Sequence, residues 1–236
     1  MTRLLARLRS QRGFTVVEVL VAATIGSVVM VTIFTLLDGS LKQSNGVNAR
    51  IDSTQRGRVA METMTRELRS QVCFSPNSGT PVSLTYADAY KVTFYAFNGS
   101  GTFRPDRRTL WWDTNSDSLK ETIEPGVGTP VTSFGTPVTR VLATNVKPPA
   151  NASGGSDPVF TYAKDDGTNL TTVPLSSANL SVVAVINMAF RTYTGVTGAQ
   201  SANTNTVQGT YTSYESQVFA RTADPNGLAG STDPTC

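Results

Sequence analysis

The sequence predicts an α+β fold: a long N-terminal helix, transmembrane in its first half, followed by a mainly antiparallel β domain. Three observations carry this reading. From Val19 to Leu37 the chain is an apolar run without a charged residue. From Leu37 to Val72 it holds no proline. After Phe74, short runs rich in Val, Thr, Tyr and Phe alternate with Gly, Pro, Asn and Asp breaks, as successive antiparallel strands do. The expected parts are a basic leader at 1–13, a spanning helix at 14–37, an amphipathic helix at 38–73 and a β-rich extracytoplasmic domain at 74–236.

The leader comes first. Arg3, Arg7, Arg9 and Arg12 precede Phe14 without an acid among them. They outweigh the chain's formal +3: without them 16 of the 20 basic residues remain against 17 acidic ones, near −1. The basic residues therefore mark a membrane boundary and not a nucleic-acid stripe. Basic residues are retained inside, so the N-terminus is expected in the cytoplasm and the rest outside.

The apolar run is about the 20 residues needed to cross a bilayer core as a helix. A cleaved secretory signal has a shorter run followed by an A-x-A-like site, and no such site follows here. A plain uncleaved anchor fits the length and the arginines but leaves Glu18 unexplained. An ionisable residue at that depth costs a few kcal/mol unless it lies at an interface or finds a partner, which marks it as a functional-site candidate.

The stretch Arg12-Gly13-Phe14-Thr15-Val16-Val17-Glu18-Val19-Leu20 closely resembles the type IV prepilin processing motif: a short basic leader, a Gly, a cut, then Phe-Thr-x-x-Glu opening an apolar helix. The resemblance implies a pilin-like fold, cleavage between Gly13 and Phe14 by prepilin peptidase, and N-methylation of the new Phe14 amine. It also implies that Glu18 neutralises the N-terminal amine of a neighbouring subunit in a filament core. Opposite charges in a low-dielectric core offset each other's desolvation only when paired. The implied partners are other pilins or pseudopilins through the N-terminal helix, prepilin peptidase, an inner-membrane assembly platform and the membrane itself. The implied location is single-pass in the cytoplasmic membrane before assembly, then extracytoplasmic in a filament.

Beyond the membrane, helix is expected to Val72, roughly 85 Å from Thr15 at about 1.5 Å per residue. Ala60, Met64, Leu68 and Val72 form an apolar stripe that should pack on the C-terminal domain. Arg56, Arg58, Glu62, Arg66, Glu67 and Arg69 lie mostly elsewhere, with Glu62 and Arg66 a favourable i,i+4 pair. Gly39, Gly46 and Gly57 each lower helix propensity by about 1 kcal/mol and are expected to mark local breaks. The segment from Asp52 to Arg69 resembles the end of the long helix in the minor pilin W and J-type minor pseudopilin group, where an acid–Leu–Arg triplet closes the helix. Glu67-Leu68-Arg69 matches that triplet.

Strands are expected at 82–86, 90–97, 109–112, 119–123, 138–146, 159–162, 180–193 and 211–221. Polar loops are expected at 151–157 and 197–210. The order Leu142–Val146, a polar gap, Phe160–Tyr162 and a last strand Glu215–Arg221 is also similar to the W/J group, which places the chain among minor subunits acting at initiation or at a tip.

The clearest chemical candidate is Asp113, Asn115, Asp117, Glu121 and Glu124, which fall at positions 1, 3, 5, 9 and 12 of an EF-hand calcium loop. Position 6 is Ser118 where that loop needs Gly, and the flanks read as strands, so a hairpin turn is the expectation, with Asp113, Asn115, Asp117 and Glu124 kept as the weak metal candidate. Adjacent Trp111 and Trp112 should point to opposite faces, one of them into the core. Arg104, Arg107 and Arg108 beside Phe103 form a small basic cluster that nucleic-acid phosphates would suit, but a solvated loop is the expectation. Cys73 and Cys236 are the two cysteines. Both would be exported, and a bond between them would tie the C-terminus to the end of the helix; the alternative is two unpaired thiols. With no histidine, P-loop or Gly-x-Gly-x-x-Gly, no catalytic residue and no cofactor are expected, although a glycosidase's carboxylate pair leaves no sequence signature. The function expected is a minor pilin or pseudopilin in pilus assembly, type II secretion or DNA uptake. The rival is a membrane-anchored adhesin that uses the prepilin export route.

Overall fold

A computed structural model describes residues 15–75, 81–97, 103–193 and 211–220. The chain divides into two units, Met1–Asn48 and Ala49–Cys236. One helix, α1 (Val16–Arg69), opens it. The helix is not interrupted at Gly39, Gly46 or Gly57, against the breaks expected there. A cost of about 1 kcal/mol per glycine is small beside the sum of good helix formers around each one.

Among the described residues the second unit holds twelve strands, all paired antiparallel, so the predicted α+β architecture is the one observed. The first sheet has the order β1 (Leu84–Ala87), β2 (Lys91–Ala96), β3 (Asp106–Asp113), β4 (Ser118–Glu124), β7 (Val138–Thr144). The second runs β10 (Asn169–Leu170), β9 (Phe160–Ala163), β11 (Val185–Tyr193), β12 (Tyr211–Phe219), with β8 (Val146–Lys147) also on β11. A small hairpin pairs β5 (Gly126–Gly128) with β6 (Val131–Phe134). One apolar core joins the two sheets and the last turns of α1. Met64 and Leu68 of the helix, Phe94, Leu110 and Leu119 of the first sheet, and Phe160, Ile186, Met188 and Phe190 of the second are all buried in it.

Several expected strands change on meeting the fold. The run 138–146 divides at Asn145, whose φ of 58° breaks the extended backbone, so that β7 and β8 join different sheets. Asn tolerates this left-handed conformation because its side chain can bond locally. The run 180–193 begins five residues late. Ser176 caps a single helical turn, α2 (Ser177–Leu180), its side chain accepting from the Asn179 amide at 3.3 Å. β2 is covered on both faces: of its six residues only Lys91 is exposed. Its outer Tyr95 is covered edge-on by Phe74 (5.2 Å between centroids) and by a stacked Phe134 (5.6 Å) from β6. β5, β6 and β10 were not foreseen. The segment Pro125-Gly-Val-Gly-Thr-Pro130 reads as breakers, but a Cβ at Gly126 would collide with the Pro105 carbonyl oxygen, so that glycine lets the hairpin lie close. The loop expected at 151–157 is a tight turn in which Asn151 Oδ1 accepts from the Gly155 amide at 2.7 Å. The loop expected at 197–210 lies outside the described residues.

Candidate functional site: the N-terminal helix and its neighbours

The start of α1 is set by Thr15. Its hydroxyl accepts from the Glu18 amide at 3.3 Å, and its carbonyl accepts from the same amide at 3.0 Å. Thr15 is thus the N-cap and Glu18 the third helical residue, the Thr-x-x-Glu spacing of a capping box. An acid in the first turn also suits the positive end of the helix dipole. Gly13 and Phe14 lie outside the described residues.

From Val16 to Leu37 the helix is apolar on every side and exposed on every side. Its polar hydroxyls are satisfied internally. Thr24 donates to the Val21 carbonyl (2.9 Å), Ser27 to Thr24 (2.8 Å), Thr32 to Val28 (2.9 Å) and Thr35 to Thr32 (2.8 Å). Such back-bonding removes the need for water around these groups. Mean hydropathy in the best window reaches 2.4, and the helix is long and apolar enough to cross a membrane. The first charges after Glu18 are Asp38 and Lys42, paired at 2.7 Å and well exposed.

In the second unit, the face of α1 that meets the domain carries Ser53, Gly57, Ala60, Met61, Met64, Glu67 and Leu68. Ala60, Met64 and Leu68 fall on the predicted stripe. Val72 does not continue it as helix: α1 ends at Arg69, and the Val72 amide donates to the Tyr95 carbonyl at 3.0 Å. The expected Glu62–Arg66 pair is not formed among the described residues; Arg66 reaches Glu67 at 3.6 Å.

Glu67, read from sequence as a polar surface residue, is buried. Its carboxylate pairs with Arg108, a buried residue of β3. The Arg108 guanidinium also faces Glu121 of β4 (3.4 Å) and Asp106 (3.3 Å). Glu121 is fully buried and accepts from Arg140 Nε of β7 at 2.6 Å. Arg140 reaches Glu67 at 3.6 Å, closing the ring. This cluster overturns the solvated-loop reading of Arg104, Arg107 and Arg108. Arg107 and Arg108 lie in β3; Arg107 pairs with Glu124 and stacks on Phe134 at 4.9 Å, and Arg104 donates to the Gly126 carbonyl at 3.0 Å. All three guanidinium groups are engaged within the domain. The signal that could have found the ring is the acid of the Glu67-Leu68-Arg69 triplet, which occupies the last turn of a helix, where the dipole disfavours it.

Asp113, Asn115 and Asp117 form the β3–β4 hairpin turn, as expected, while Glu121 and Glu124 lie along β4. Asp113 accepts from the Asn115 amide (3.0 Å), the Ser116 hydroxyl (2.7 Å) and Lys120 Nζ (2.6 Å). These donors, Lys120 foremost, hold its carboxyl down at about 2. Asp117 takes the left-handed turn position (φ 44°) and faces Lys147 (3.1 Å) and Tyr193. Glu124 sits at the far end of the hairpin, in register with Arg107, so the structure does not gather Asp113, Asn115, Asp117 and Glu124 into one site. Among the described residues no three His, Cys, Asp or Glu side chains are placed to hold a metal ion.

The two tryptophans divide as predicted. Trp112 packs on the core and donates to the Val146 carbonyl at 2.9 Å, while Trp111 lies on the other face beneath Lys120. Cys73 is exposed, four residues after α1; Cys236 lies outside the described residues.

Residues 8–34 match the family described as the prokaryotic N-terminal methylation motif. No curated protein matches the chain. The motif, with the apolar helix that it opens, supports a type IV pilin-like protein, a class of structural subunits, and fits membrane anchoring.

Proposed function

We propose that the chain is a minor pilin or pseudopilin of a type IV pilus-like filament, cleaved after Gly13, methylated on Phe14 and held in the cytoplasmic membrane by residues 14–37 until assembly. The observation that carries this is a methylation motif on a helix apolar on all sides with a single acid, Glu18, in its first turn. Such a surface needs lipid or copies of similar helices around it. In the filament, Glu18 meets the Phe14 amine of a neighbour. Residues 38–73 form the spine of the exported part and residues 74–236 its body. The W/J-type role, in initiation or at a tip, is supported by the triplet Glu67-Leu68-Arg69, whose arginine is the last helical residue. Cys73 and Cys236 pair and tie the C-terminus to the end of the helix.

Deletion of the gene tests the assembly role. Loss of surface filaments, restored by the wild-type chain and not by Glu18→Ala, is the expected result. Normal filaments with lost attachment would instead assign the chain to the adhesins.

A further inference from the structure

We propose that Glu67, Arg108, Glu121 and Arg140 form a keyed ionic joint that sets the rotation and axial position of the end of α1 on the first sheet. Towards the second sheet α1 is held by Tyr214, whose ring lies against Gly57 and whose hydroxyl donates to the Thr54 carbonyl; the premise is that the apolar contacts with the first sheet do not by themselves fix a single setting. Burial of Met61, Met64 and Leu68 is non-directional, and methionine adapts to a shifted partner. The charged groups are directional. Arg108, with a side chain 5% exposed, presents its fork to Glu67, Glu121 and Asp106 at once. Glu121 is held from the other side by Arg140, its cross-strand partner. Moving α1 by one turn, about 5.4 Å, would withdraw Glu67, the one partner that α1 gives Arg108 among the described residues.

Helix stability does not ask for this arrangement. An acid in the last turn opposes the dipole. A buried ion pair is commonly no more stabilising than apolar residues of the same volume, while a broken one is costly. What the ring provides is an all-or-none fit, so that the helix and the first sheet behave as one body. Resting on the pilin reading, that is the property a subunit needs when force on its helix must reach its domain.

The test uses the full-length processed protein in detergent micelles. Spin labels on non-natural amino acids at Glu62 and Thr139, both exposed, leave Cys73 and Cys236 untouched. The wild type should give one narrow distance. The volume-matched Glu67→Met/Arg108→Met/Glu121→Leu variant leaves only Asp106 and Arg140, which both reach solvent. It should keep its melting temperature yet give a broad or two-peaked distance distribution. Arg140→Met, at a side chain 48% exposed, should fold and broaden the distribution less, in the same direction. A single narrow distance in either variant, matching the wild type, overturns the joint. If the distances broaden while filaments still assemble, the joint stands and the need for it in assembly is refuted.

Discussion

Replacing Gly57 by alanine sets two effects against each other, and the structure decides which wins. In an exposed helix the change gains about 1 kcal/mol of propensity. Here a Cβ would lie 2.5 Å from Tyr214 Cζ, closer still to Cε2, and 2.9 Å from Thr192 Cγ2. None of these atoms belongs to a flexible chain end. The Tyr214 ring is stacked on Phe190 at 5.3 Å, and its hydroxyl donates to the Thr54 carbonyl at 2.7 Å. Displacing the ring loses about 1 kcal/mol of hydrogen bond and about 1 kcal/mol of ring contact, and the overpacking costs about 1–3 kcal/mol more. The net is a loss of about 2–4 kcal/mol, on the order of 10 °C in melting temperature for a domain of this size. Circular dichroism melts of Gly57→Ala should show that fall. Gly46→Ala, where nothing lies within 4 Å of the new Cβ, should leave the melt of the domain unchanged. Combining Gly57→Ala with Tyr214→Ala should be markedly less than additive, because the second change removes the obstacle to the first. A melting temperature that stays level or rises in Gly57→Ala would show that propensity governs, and would refute the close approach of α1 and β12.

Three further outcomes follow from the other sites. Arg108→Met alone leaves Glu67 and Glu121 buried with less compensation and should destabilise the domain by about 3–5 kcal/mol in denaturant titration, far more than Arg107→Met at the half-exposed neighbour. Asp113 titrates near 2 in the folded protein, below the roughly 3.9 of an unfolded chain, so its contribution is present above the unfolded value and is lost as pH falls towards 2. Carboxyl chemical shifts should place its midpoint there, Lys120→Met should raise it, and calcium should move neither the midpoint nor the melting temperature. If Cys73 and Cys236 are paired, the unfolded, unreduced protein should show no reactive thiol; two thiols would refute the bond.

The large divisions of the fold were legible because each rests on a local physical signal. The apolar run of α1, the turn chemistry at Asp113–Asp117 and the β-branched runs of β2, β3, β4, β9 and β12 announce themselves within a few residues. What escaped the sequence depends on distant groups. Glu67 and Arg66 look alike on a helix, and only β3 and β7 bury one of them. Gly57 reads as a helix weakness until Tyr214 is placed against it from 157 positions further along the chain. The β5–β6 hairpin hides in a Gly- and Pro-rich segment because its geometry is set by contact with Pro105 and Tyr95 and not by its own propensity. At the candidate site, the methylation motif was legible because its residues lie together in the sequence. The capping of Glu18 by Thr15 follows from the same Thr-x-x-Glu spacing and emerged only with the helix start.

The central claim rests on the Gly13–Phe14 junction. Intact-mass and N-terminal peptide mass spectrometry of the protein purified from its native membrane or filaments tests it directly. The expected result is a chain that begins at Phe14 with a methyl group on its amine. A filament-incorporated chain that still begins at Met1, or one cut elsewhere, would contradict it.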